Sequence, residues 1–137
     1  MAELVIIPAL ILGALIGALE TFFMAKDVQS SYHFISHATH AFVYALIAVF
    51  AVMNIEYVLS LIPALKTVPY LSNHWVFRGV MGLIGMIKIH AASLTIPKGA
   101  PKSMKETWTH SIIIAALIIA SPEIWSVLAP VLPWKLT

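Results

Sequence analysis

Three imidazoles stand on one stripe of this chain. In SSYHFISHATHAF, residues 30 to 42, His33, His37 and His40 are spaced i, i+4, i+7, which on a helix places them within about 60° of arc. Imidazoles three or four residues apart sit on adjacent turns and can grip one ion, as metal-binding helices do. All three cannot share it, because His33 and His40 are separated by about 10 Å along the axis. His37 with either neighbour therefore needs ligands from other segments, and Glu20, His90 and His110 are the candidates. Together they form a three- or four-ligand nitrogen and oxygen set suited to zinc, copper or iron. A second chemistry is b-type haem held by two imidazoles, His40 and His90, from different helices. A third is proton handling, since histidine titrates near physiological pH and Glu20 can be tuned to match. Absence of cysteine excludes disulfides, thiolate metal sites and iron–sulfur clusters. No serine has a base and an orienting partner arranged around it, so no catalytic nucleophile is assigned.

The elements that must position these groups are apolar. Of 137 residues 61% are hydrophobic and only 10% charged, against roughly 25% charged in a soluble domain, and the mean hydropathy is +0.94. So few polar groups cannot cover a folded surface, and the excess must face lipid. A spanning helix needs about 20 mostly apolar residues. The pattern predicts an all-α integral membrane protein, one domain over 1–137, with an antiparallel bundle of four transmembrane helices at about 5–24, 33–53, 75–96 and 108–128. Met1 to Glu3 offer no basic n-region, so the first span is expected to stay in the mature protein. Residues 33 to 61 would cover some 40 Å as one helix. Either that helix tilts, or it breaks near Asn54 and EYVLSLIPAL forms an interfacial helix after the second span. Ser103 with Glu106 fits a capping box ahead of the fourth helix, and Pro122, Pro130 and Pro133 predict a kinked or frayed end.

Depth places the ionisable groups in one layer. At about 1.5 Å per residue from the loop ends, Glu20 and His37 lie some 6 Å deep, His40 and His90 about 10 Å and His110 about 3 Å, all from the same face. Intramembrane ionisable residues cost at least a few kcal/mol near the centre, and normally face protein or water. Gly13 and Gly17 make a small-residue step, with Glu20 about 20° from Gly13 on the same stripe. Gly79, Gly82 and Gly85 form a smooth face on the third span, open to close packing by another helix or by a flat cofactor. Lys88 points nearly opposite to His90. A second polar set, Asn54, Glu56, His74, Arg78 and Glu123, gathers at the opposite face. It reads as architecture, with Glu56 and Arg78 expected to pair. The apolar middle between the sets argues against a channel.

The positive-inside rule orients the chain by a margin of one charge. Lys26, Lys98, Lys102 and Lys105 face Lys66, Arg78 and Lys135, which makes loops 25–32 and 97–107 cytoplasmic and both termini external. The basic residues form no stripe to track a phosphate backbone, so nucleic acid is not an expected partner. Tiny loops leave little room for an autonomous enzyme. The expected partners are the lipid bilayer and either other membrane subunits or further copies of this chain. The reading is a small polytopic subunit of a larger membrane complex, of redox or oxidase type. Its histidine and glutamate layer would bind a transition metal or haem, or seat a partner. A small proton- or metal-coupled transporter is the alternative, and a purely structural or assembly protein the second.

Overall fold

The computed structural model describes residues 4–27, 31–93 and 108–132, with backbone alone for 27, 31–37 and 92–93. The described residues are helical and contain no strand: α1 (Ile6–Asp27), α2 (Ser31–Met53), α3 (Ile55–Leu61), α4 (His74–Ser93), α5 (Trp108–Ile119) and α6 (Ser121–Leu128), with short 3-10 turns at Pro63–Thr67 and Ala129–Val131. The capping box at Ser103 and Glu106, the loop lysines 98, 102 and 105, Pro133 and the side chains of His33 and His37 lie outside the described residues.

Only α1 is by itself long and apolar enough to cross a membrane among the described residues. The expected second and fourth spans are each a bent pair, α2 with α3 at 97° and α5 with α6 at 65°. Helix α4, which carries Arg78 and Lys88, is not among the helices that qualify over their described residues. The expectation of four comparable spans is thus met without qualification by one helix.

Both bends keep their backbone satisfied by a side chain, which an apolar setting demands because water is not there to do it. At the first, the Asn54 N–H turns to the Ala51 carbonyl. The Asn54 amide nitrogen then donates to the Phe50 carbonyl at 3.0 Å, the group its own N–H would have reached had the helix continued. At the second, Pro122 has no N–H to offer the Ile118 carbonyl four residues back. The buried Ser121 hydroxyl donates to that carbonyl instead, at 2.8 Å. Bend and repair are encoded within one residue of each other.

The core is built by small residues that let helices approach. Helix α2 lies at the centre, packed on α1, α4, α5 and α6. Ala41, Ala45, Ala48, Val49 and Val52 on α2 meet Leu12 and Ile16 from α1 and Ile114 and Ile118 from α5. A Cβ at Gly17 would stand 2.7 Å from the Phe42 ring, and one at Gly82 would stand 2.5 Å from the Ile119 side chain. Gly82 and Gly85 are thereby filled by α5, while Gly79 meets nothing within 4 Å. Of the two uses open to the α4 glycines, close helix packing is the one these contacts serve. Outward, Leu10, Leu15, Ile47, Leu83, Ile87 and Ile112 remain exposed.

Candidate functional site

Glu20, His90 and Ser111 are the buried polar groups at the end of the bundle where α1 finishes and α4 gives way to α5. Glu20 has no exposed surface at all. It stands four residues from both Ile16 and Met24, hence on the stripe that those two core residues define. His90, 7% exposed, follows the fully buried Ile89 near the end of α4. Met24, Ile89, Ala41 and Ile114 belong to one packed cluster, so the helices carrying Glu20, His90 and His40 meet around the same core.

Helix α5 supplies the lining by its own periodicity. Trp108 and Ser111, three residues apart, share a face, and both reach His90. The indole stacks on the imidazole with centroids 3.7 Å apart. The Ser111 hydroxyl shares a 3.3 Å hydrogen bond with His90 Nδ1, donating to one imidazole tautomer and accepting from the other. His110 points away from that face, two residues on from Trp108, and stacks instead on Phe23 of α1, centroids 4.6 Å apart. One turn of α5 thus ties α4 to α1 through aromatic rings.

The structure distributes the sequence candidates unevenly. Glu20 and His90 are buried, His110 is half-buried and His40 is exposed on α2. Lys88 is exposed on α4. No group of three or more His, Asp or Glu side chains able to hold a metal ion occurs among the described residues. The side chains of His33 and His37, two of the metal candidates, lie outside what is described. Trp108, Ser111 and Phe23 are the layer residues that sequence reasoning missed. The i, i+3 spacing of Trp108 and Ser111 was the available signal.

The second polar set departs from its expected pairing. Arg78 does not pair with Glu56. Its Nη1 donates to Glu123 Oε1 at 2.6 Å, tying α4 to α6. Glu56 accepts from His74 Nε2 at 3.1 Å, tying α3 to α4. The two bends are the reason: the turn at Asn54 carries Glu56 to His74, one helical turn ahead of Arg78, and the turn at Pro122 brings Glu123 to Arg78. Trp75 lies against the guanidinium, 5.0 Å from ring centroid to Cζ. Asn54 closes this end. Its Oδ1 accepts from the Val5 N–H at 2.7 Å and its Nδ2 donates to the Val5 carbonyl at 3.1 Å, stapling the start of α1 to the end of α2.

Between these groups opens a cleft of about 200 Å³, walled by Val52 and Pro122 and by the polar residues Glu56, Tyr57, His74 and Arg78. Glu56, His74 and Glu123 are each about half exposed, whereas the Arg78 side chain is only 14% exposed. No protein-family model, no curated protein and no solved structure matches this chain.

Proposed function

We propose that this chain is a small polytopic membrane subunit, a four-span bundle of which α2–α3 and α5–α6 are broken spans, and that it works inside a larger membrane assembly. The carrying observation is the carboxyl of Glu20, sealed without exposure on the core stripe of the one described helix long and apolar enough to cross a membrane by itself. Such a group is expensive in lipid and normally faces protein or water. Exposed leucines and isoleucines on every long helix support contact with lipid or with neighbouring helices. At this end of the bundle His40 and Trp108 are exposed, and a partner subunit is seated there. The same layer, with His33 and His37, holds the candidate ligands for copper, zinc or iron, and His40 with His90 those for b-type haem. The apolar core of Leu12, Ile16, Val49, Val52 and Ile118 between the two polar ends favours a subunit over a proton- or metal-coupled carrier.

Native mass measurement of the chain released gently from its membrane tests this. The expected result is a complex containing other chains, or several copies of this one, that dissociates in the His40→Ala, Trp108→Ala double variant. Isolation as a single chain free of metal and haem, with an optical spectrum lacking a Soret band, overturns it.

A further inference from the structure

We infer that the outer face of α4 is the seat of a transmembrane helix from a different subunit, one carrying a carboxylate that pairs with Lys88 inside the bilayer. The inference rests on the proposed membrane assembly and adds to it a contact apart from the His40 and Trp108 end.

Helix α4 has two unlike faces. Inward, the space at Gly82 and Gly85 is filled by Ile119 and Ile118 of α5, with Ala48 of α2 beside Gly85. Outward, Val80, Ile84, Ile87 and Ala91 are exposed. Their i, i+4, i+7, i+11 spacing sets them along one stripe, and Lys88 stands exposed at its edge. Apolar side chains alone would call only for lipid. The ammonium calls for an anion as well.

Depth makes that demand strong. Lys88 lies about 20 Å beyond the exposed Trp75 along the axis. In a hydrocarbon core about 30 Å thick it therefore stands roughly 10 Å below the opposite boundary, where an ionised side chain is costly and is normally paired. Arg78, the other permanent cation of α4, is held by Glu123. Lys88 makes no ion pair with any described residue.

Three anions could answer it, and the chain itself separates them. A lipid phosphate lies at the boundary. A helical Cα–Cβ bond leans toward the N-terminus, which for α4 is the Arg78 end, so reaching the nearer headgroups works against that lean. A second copy of this chain has six acidic residues to offer. Glu20, the one at similar depth, is fully buried, while Glu56 and Glu123 are paired at the other end. Glu3, Asp27 and Glu106 fall outside the predicted spans. A carboxylate on the helix of another subunit meets Lys88 at its own depth, and that helix covers Ile84 and Ile87 at the same time.

The test places a photo-crosslinking amino acid at Ile84 of the full chain in its own membranes. Irradiation is expected to join it to one different polypeptide, within about two helical turns of an Asp or Glu in an apolar segment. Lys88→Met is expected to lower the yield roughly tenfold, the scale of one charge-assisted contact, and Lys88→Arg to preserve it. Exchanging the charges, Lys88→Glu here with lysine at the mapped acid, is expected to restore it. Lys88 is exposed, so these variants leave the fold intact, and thermal unfolding at the wild-type temperature verifies that. Adducts with lipid alone or with a second copy, a linked segment that has no acidic residue, or a yield unchanged in Lys88→Met overturns the inference. Native mass measurement separates the two failures. A wild-type chain released alone overturns the assembly and this contact together, whereas a complex that keeps its partners but gives no Ile84 adduct overturns the α4 contact alone.

Discussion

The two ends of this bundle spend their polar residues in opposite ways. At one, Glu20, His90 and Ser111 turn inward, and rings stack on the two histidines there, Trp108 on His90 and Phe23 on His110. At the other, Glu56, His74 and Glu123 stay half exposed in ion pairs around a cleft, and only Arg78 is drawn inside. The difference follows from the helices. Where α1, α4 and α5 run straight, side chains at one depth are carried into the core. Where α2 and α5 break, the short helices α3 and α6 swing aside and a gap is left between them. Buried polar groups earn their place by what they touch, and half-exposed ones by what can reach them from solvent or lipid.

Reversing charge at each end breaks the comparison most directly. Glu20→Lys places an uncompensated cation among Ile16, Met24 and their neighbours, and is expected to cost about 3–5 kcal/mol or to prevent folding. The same change at half-exposed Glu56 is expected to cost under about 1 kcal/mol. Thermal unfolding in detergent reads both, and equal losses would erase the distinction between the ends. Asn54→Ala comes next. It leaves the Val5 N–H and carbonyl and the Phe50 carbonyl without their side-chain partner, an expected loss of about 2–3 kcal/mol, with hydrogen exchange rising at the start of α1. A smaller pair sharpens the contrast between the histidines. His90→Ala removes a ring stack and the Ser111 hydrogen bond for an expected loss of about 2 kcal/mol, whereas His74→Ala removes one exposed contact worth less than about 1 kcal/mol. The smallest effect lies in the connection before α4, where Tyr70 is held at φ 65°. Tyr70→Gly relieves a left-handed backbone at some entropic cost to folding and is expected to raise stability by about 0.5 kcal/mol.

The polar residues of both ends were legible as sets before their contacts were. Glu56, His74, Arg78 and Glu123 fall together from hydropathy alone, yet the pairing read from depth, Glu56 with Arg78, was wrong. Depth counts residues along a straight axis, and the bends at Asn54 and Pro122 change which helices face one another. At the other end the burial of Glu20 followed from its register with Gly13 and Gly17, because a 3.6-residue period fixes the face of a straight helix. His40 shares a stripe with His33 and His37 but remains exposed, since the stripe says which residues align and not which side the neighbours take. The indole on His90 was missed because Trp108 reads equally well as an interfacial anchor.

Composition and local chemistry by themselves determined the all-helical character, the first helix long and apolar enough to cross a membrane, and the places where helices break. Each of these depends on residues close in sequence: the run from Ile6 onward, the amide at Asn54, the missing N–H at Pro122. Only the tertiary structure decided that Arg78 belongs to Glu123, that His90 lies between an indole and a hydroxyl, and that a cleft opens beside α3. Those outcomes depend on the directions in which two broken helices leave the bundle. Direction is set by packing across the whole molecule, and no local stretch of sequence contains it.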